Sequence, residues 1–308
     1  TGALQVDNVS GVLLHDLFFT PFRAPTDNDA HSPLVLGKQN WFTKQYDHPK
    51  RTCLEVRQGN GVEEPSLTYT TAYQTEKDSF YVTVGLWQAG QNRIFIDCNV
   101  QSPADMLSPG RIGMTAILPV RFTAMKWYGK GPLETYPDRQ CGGRMGVYSE
   151  DVRNQPFYLR PQEYGLHTES RSMRLTDPDR ADFVRFEAAC PMAMSAVPYS
   201  DLQLWNARHP LELPAPEALY VHLDYAHRGL GNSSCGPDVL PTYRIDDRPC
   251  RFGFALEAGL GEREDNPFGP IPEEIPAYHP WKAVGEQDRT PSYRDPSDPD
   301  QRSNAGMV

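Results

Sequence analysis

Apolar and polar positions alternate with a period of two at several places along the chain. In residues 80–86 the alternation sets Phe80, Val82, Val84 and Leu86 on one face, and in 93–100 it does the same for Ile94, Ile96, Cys98 and Val100. Successive strand side chains point to opposite faces of a sheet, so each run predicts a half-buried strand. Between them, Gln88-Ala89-Gly90-Gln91-Asn92 predicts a hairpin connection. The stretches Met114 to Phe122, Phe183 to Ala188, Tyr220 to Tyr225 and Phe252 to Leu256 are rich in β-branched and aromatic residues and predict further strands. No long helical periodicity occurs, and the sum is an all-β antiparallel sandwich. Three connections exceed hairpin length: Arg23 to Asn40, Gly129 to Leu159 and Arg228 to Pro241. Long loops on a rigid sheet scaffold are where recognition usually resides.

Composition agrees with that reading. The 308 residues include 29 prolines and 24 glycines, so connections are frequent, and 39% hydrophobic content is enough for a sizeable core. The alternating pattern stops near Gly261. Residues 263–308 hold eight prolines and include Asp295-Pro296-Ser297-Asp298-Pro299-Asp300, which predicts an extended or disordered tail that Tyr278, Trp281 and Tyr293 could anchor. The expected division is therefore a sandwich domain over 1–262 followed by the tail over 263–308. No internal repeat is found.

Charge narrows the partners. Thirty Lys and Arg against forty Asp and Glu give a net charge of −10, which repels nucleic acid and anionic membrane surfaces. No apolar stretch approaches the ~18–20 residues of a membrane span, and Thr-Gly-Ala-Leu-Gln-Val at residues 1–6 lacks a secretory pattern. The absence of an initiator Met suggests a processed or excised piece of something longer. Six scattered cysteines (Cys53, Cys98, Cys141, Cys190, Cys235, Cys250) form no CxxC or Cys/His spacing, so no metal site is expected. Strand-like settings make several of them candidate apolar fillers, and reduced thiols point to a cytoplasmic compartment.

Three polar segments carry the candidate chemistry. In Phe22 to Asp29, the carboxylates Asp27 and Asp29 flank Asn28 and could hold a metal or sugar hydroxyls; equally, they could fix a turn with Arg23 paired to one of them. In Trp127 to Arg139, aromatic rings could stack on a sugar while Glu134, Asp138 and Arg139 bond its hydroxyls, or Asp138 and Arg139 could be a buried pair that locks the loop. The third, His227 to Asp238, is glycine-rich but lacks the basic residue and helix of a phosphate cradle, which excludes nucleotide binding. Its small residues let backbone approach a ligand or another domain. A nucleophilic Cys235 would need His227 or His222 as base, and His167 with Glu163 is a candidate acid–base pair.

Taken in order, these segments resemble the C-terminal domain of LacZ-type β-galactosidases, glycoside hydrolase family 2. The matches are Arg-Ala-Pro-x-Asp-Asn-Asp at Arg23 to Asp29, Trp-x-Gly-x-Gly-Pro-x-Glu-x-Tyr-Pro-Asp-Arg at Trp127 to Arg139, and Gly-x-Gly…Ser-x-x-Pro-x-Val at Gly229 to Val239. Gln162-Glu163-Tyr164-Gly165 and Pro241-Thr242-Tyr243-Arg244-Ile245 add to the set, which spans about residues 1–258. The resemblance implies an antiparallel supersandwich, galactose mutarotase-like. It further implies that the two catalytic glutamates of a retaining mechanism, and the Mg and Na ions of the family, lie on a TIM barrel outside this chain. Alternating βα units are missing here, so no catalytic residue is expected in the chain and the isolated chain is expected to be inert.

By the same resemblance this domain walls the active-site pocket, with the barrel-bearing portion or large subunit as partner and a galactoside as substrate. The pocket loops would then present Asp29, His31, Trp41, Asn232, Ser234 and Cys235. Arg23, Asp27, Asn28, Trp127, Glu134, Tyr136, Asp138 and Arg139 would form the structural motif behind them. Ala30 to Asn40 matches in position a mobile loop that closes over sugar. Cys235 stands where some relatives carry a Trp platform, a change that removes a stacking face and leaves Trp41 as the aromatic able to compensate. Relatives also carry strands ahead of the position of Thr1, whose loss would expose a sheet edge. The residues also admit two alternatives: a free-standing epimerase using His167, His222 and Glu163, and a carbohydrate-binding module using Trp41 or Trp127.

Overall fold

A computed structural model describes residues 6–9, 12–14, 16–89, 92–104, 106–155, 158–231 and 238–261. The strands are β1 (Val6–Val9), β2 (Val12–Leu14), β3 (Asp16–Thr20), β4 (Lys50–Gln58), β5 (Leu67–Gln74), β6 (Ser79–Gln88), β7 (Arg93–Gln101), β8 (Arg111–Pro119), β9 (Ala124–Gly131), β10 (Arg144–Asp151), β11 (His167–Thr176), β12 (Phe183–Val197), β13 (Ala218–His227) and β14 (Cys250–Gly259). Three short helices, α1 (Asp27–Ala30), α2 (Pro33–Leu36) and α3 (Asp201–Asn206), sit in the connections. Strands β3 to β14 form a 12-stranded sheet whose pairs are all antiparallel, while β1 and β2 pair separately.

The long strand β12 is the hinge of the architecture. Its first part, Phe183 to Ala188, pairs with β14 and continues the run β14-β7-β6-β5-β4. Its second part, Ala193 to Val197, pairs instead with β13, which leads through β8 to β3. Pro191 lies at the exposed step between the two registers, a place where the missing amide proton costs no ladder bond. The two runs close on a shared core. Phe19 of β3 packs edge-on against Tyr73 of β5 at 5.2 Å and donates its backbone N–H to the Tyr73 hydroxyl, although these strands are not neighbours in the sheet. One continuous cluster from Leu17 to Ala258 fills the space between them.

The predicted strands are all present, with altered ends. Phe80, Val82, Val84 and Leu86 are buried as the alternation requires. The stretch expected to run to Phe122 ends at Pro119, because Phe122 N donates to the Pro119 carbonyl and turns the chain. The segment Gly129 to Leu159 is no continuous loop: it contains the end of β9, all of β10 and a 3-10 turn at Val152–Asn154. Among the described cysteines all are free thiols; Cys98 is buried, whereas Cys53 and Cys141 are exposed and fill no core. Among the described residues no helix is long and apolar enough to cross a membrane. Residues 263–308 lie outside the described residues.

Candidate functional site

The first polar segment is built around a capped helical turn. Thr26 caps α1 by accepting from Asp29 N, and Asp29 Oδ2 accepts in return from Thr26 N at 3.0 Å. The same carboxylate takes Arg23 in a forked pair, Nη2 to Oδ2 at 2.9 Å and Nε to Oδ2 at 3.1 Å, with both side chains buried. Arg23 then reaches the third segment, donating to the Arg228 carbonyl at 2.5 Å and the Gly229 carbonyl at 2.9 Å. Asn28 adds a bond from Nδ2 to the Leu230 carbonyl at 2.9 Å, and Asp27 N donates to Gln162 Oε1 at 3.0 Å.

The second segment grips the third from another side. Asp138 Oδ1 accepts from Leu230 N at 2.9 Å and Oδ2 from Gly231 N at 2.8 Å. Gly231 has φ of +102°, a left-handed backbone in which a Cβ would also strike Asn28. The expected Asp138–Arg139 pair does not form. Arg139 turns instead to Glu134 and the Tyr158 hydroxyl, and Glu134 Oε2 accepts from Gly165 N at 2.8 Å. The reason is local: Tyr136 and Arg139 exchange backbone bonds in a tight bridge, which points their neighbour Asp138 toward the third loop.

Beneath the three segments lies a buried ionic hub that the sequence reading missed. Arg111 at the start of β8 donates to Glu163 at 2.5 Å and to Asp201 at 3.2 Å, and its Nη1 lies 3.9 Å from Asp224 on β13. His227 Nε2 stands 3.6 Å from Glu163 and 3.9 Å from Asp224. Three carboxylates thus share one nearby guanidinium, and burial pushes their proton affinities up. The Asp224 carboxyl, fully buried with neither oxygen hydrogen-bonded, is raised to about 8, and Asp201 to about 6. Burial, followed by the positive field of Arg23 and Arg111, holds His227 neutral, well below the usual imidazole range.

Several expected site residues occupy other places. Asp29 is buried on Arg23, so it positions the loop and offers no carboxylate outward. Trp41 is fully buried, edge-on to Phe22 with Nε1 donating to the Ser108 carbonyl at 2.9 Å, and presents no platform. Trp127 and Tyr136 are buried too; the Trp127 ring stacks on His167 at 3.9 Å, which leaves no face for a sugar. His31 is exposed at the end of α1. His167 faces Glu150 at 3.7 Å and Glu163 faces Arg111, so the expected acid–base pair is not assembled; His222 Nδ1 lies 3.0 Å from the Thr115 hydroxyl. Asn232, Ser234 and Cys235 lie outside the described residues. Beside the second segment, a cavity of about 670 Å³ is lined by residues that include Glu134, Glu150, Gln155, Tyr164 and His167. Among the described residues no three His, Cys, Asp or Glu side chains are grouped as a metal site.

The fold and site together define an all-β domain, a 12-stranded antiparallel sheet in which buried and half-buried polar side chains tie three polar loops to one another. The chain belongs to the family described as the β-galactosidase small chain, whose model matches residues 1–256. It is 28% identical over 241 residues to a β-galactosidase of Staphylococcus xylosus, covering 77% of this chain and 23% of that one. To β-galactosidase BgaC of Bifidobacterium adolescentis it is 31% identical over 244 residues, with the same shares covered. The chain spans about a quarter of the length of the curated relatives it matches. Among solved structures, a galactose mutarotase related enzyme from Lactobacillus acidophilus overlaps 82% of this chain and 86% of its own at a TM-score of 0.42 and 9% identity.

Proposed function

We propose that this chain is the C-terminal portion of a cytoplasmic, retaining β-galactosidase of glycoside hydrolase family 2. It would serve to wall the pocket in which terminal β-D-galactose is released. The observation that carries the reading is the joint anchoring of the first and third loops: Arg23 and Asn28 bond the carbonyls of 228–230, while Asp138 bonds the amides of 230 and 231. A wall must hold its shape while sugar enters and leaves, and groups held within buried, hydrogen-bonded support keep such positions best. Here the charges point inward as struts, which leaves the exposed His31 on the first loop to face the substrate.

In this division of labour the two catalytic glutamates, acid/base and nucleophile, come from the barrel-bearing portion, together with the Mg and Na ions. This chain orients the sugar and excludes water from one side. The test is an aryl β-galactoside assay of the purified chain, of a barrel-bearing portion, and of the two combined. Turnover is expected only where the barrel is present and is expected to rise when this chain is added. Appreciable hydrolysis by the chain alone would overturn the reading.

A further inference from the structure

The cavity beside the second segment holds polar groups that the protein leaves unanswered. His167, at the start of β11, is only 1% exposed, and neither ring nitrogen has a hydrogen-bond partner. Its ring plane is fixed by the stack on Trp127, and Nε2 stops 3.7 Å from Glu150 Oε1, beyond hydrogen-bond reach. Gln155 donates from Nε2 to the same Glu150 oxygen at 2.8 Å, which leaves its buried Oε1 without a partner. All three side chains line one space of about 670 Å³, inside the ~300–1,000 Å³ range of small-ligand pockets. Pro132, Leu133 and Tyr164 supply apolar surface in the same lining.

The chemistry of the unanswered groups selects the ligand. A metal ion would need several carboxylates, yet Glu134 is engaged by Arg139, Tyr158 and Gly165 N, and Asp138 by two backbone amides. An anion would meet Glu150 and Glu134. The open set mixes donor and acceptor: His167 offers one of each in its neutral form, while Gln155 Oε1 and Glu150 only accept. A hydroxyl both donates and accepts, so adjacent ring hydroxyls answer this set, and the C–H face of the ring suits Pro132 and Tyr164.

We infer that this cavity is a binding site for a neutral saccharide of one or two rings, held by His167, Glu150 and Gln155. The inference goes beyond the pocket-wall reading and is read without any hydrolysis, so either can fail while the other stands.

Titration of the 308-residue chain with D-galactose and with lactose, by calorimetry and by imidazole nitrogen resonances, tests it. Expected is saturable one-site binding with the His167 nitrogens shifting as the site fills. His167→Phe, which keeps the stack on Trp127, and Gln155→Leu are each expected to weaken it on the order of tenfold. Failure of both sugars to saturate would overturn the inference, whether the cavity holds only water or receives a protein segment. So would binding undiminished in both folded variants. If a variant does not fold, the wild-type resonances decide: sugar binding that leaves His167 unmoved would also overturn it.

Discussion

Replacing Asp224 by Asn is expected to stabilise the protein above neutral pH, which inverts the usual consequence of breaking a buried ion pair. Asp224 is fully buried, its nearest cation is Arg111, whose Nη1 lies 3.9 Å away, the neutral His227 ring stands at the same distance, and neither carboxylate oxygen accepts a hydrogen bond. Arg111 is meanwhile drawn to Glu163 at 2.5 Å and Asp201 at 3.2 Å, and Arg23 is held by Asp29. Loss of hydration therefore outweighs attraction, and the carboxyl keeps its proton to about pH 8. In the unfolded chain it ionises near ~3.9. Between those values the folded state holds a proton that the unfolded state has lost, so stability falls as pH rises. At ~1.4 kcal/mol per pH unit over roughly four units, the full effect is about 6 kcal/mol. Asn carries no titrating proton and escapes that loss.

His222 and His227 complicate the absolute profile but not the difference between the two proteins. Both imidazoles are held neutral by burial, so below about pH 6.5 the unfolded state gains protons that the folded state refuses, and stability falls as pH drops. That contribution is common to wild type and variant. The measurement is urea unfolding of both from pH 5 to 9. The gap favouring Asp224→Asn should widen up to about pH 8 and then level off. A variant less stable than wild type by a constant amount at every pH would show that Asp224 is an ionised partner of Arg111 and refute the reasoning.

Other substitutions probe the struts and the edge. Arg111→Met leaves Glu163, Asp201 and Asp224 without their shared cation and should cost about 3–5 kcal/mol in urea unfolding at pH 8. Gly231→Ala forces a side chain onto a backbone at φ +102° and against Asn28, and should cost roughly 1–3 kcal/mol while exposing the third loop to limited proteolysis. Asp138→Asn loses one of its two charged acceptor contacts, so the amides of Leu230 and Gly231 should exchange hydrogen faster than in wild type, with β6 and β7 unchanged. Val56→Lys, on the edge strand β4 with the native side chain 59% exposed, should shift stability by less than ~0.5 kcal/mol.

The strands that were legible in the sequence are those with one wet and one dry face, or with dense apolar runs. β6 falls in the first group, with Phe80, Val82 and Val84 buried and Tyr81 and Thr83 more exposed between them, and β7, β13 and β14 in the second, each with a continuous buried run of four or five residues. β4 and β10 were not found: each is an edge strand with nearly every side chain exposed or half-exposed, so selection for burial leaves no alternation to read. β9 does alternate, burying Met125, Trp127, Gly129 and Gly131, but two of those positions are glycines that register as loop. A Cβ at Gly129 would meet Ser170 of the neighbouring β11, so this glycine marks close strand packing rather than a turn.

The site was half legible for a related reason. Arg23, Asp29, Asn28 and Asp138 stand in compact, unusual motifs; Arg23, Asn28 and Asp138 bond residues 228–231 directly, and Asp29 holds Arg23. The hub did not announce itself, because its members come from four separate elements: Arg111, Asp201 and Asp224 each read alone as an ordinary surface charge, and Glu163 reads as a partner for His167 instead of Arg111. A signal was nevertheless present: Arg111 opens a strand otherwise filled by Ile112, Met114, Ala116 and Leu118, and Asp224 interrupts β13 between Leu223 and Tyr225. A charge embedded in a strand of apolar neighbours has to find a countercharge, as Arg111 does in Glu163 and Asp201, or give up its ionisation, as Asp224 does. Asp201 of the hub accepts from Ala24 N in the first loop at 3.1 Å, a directional bond that an apolar core of equal volume would not supply.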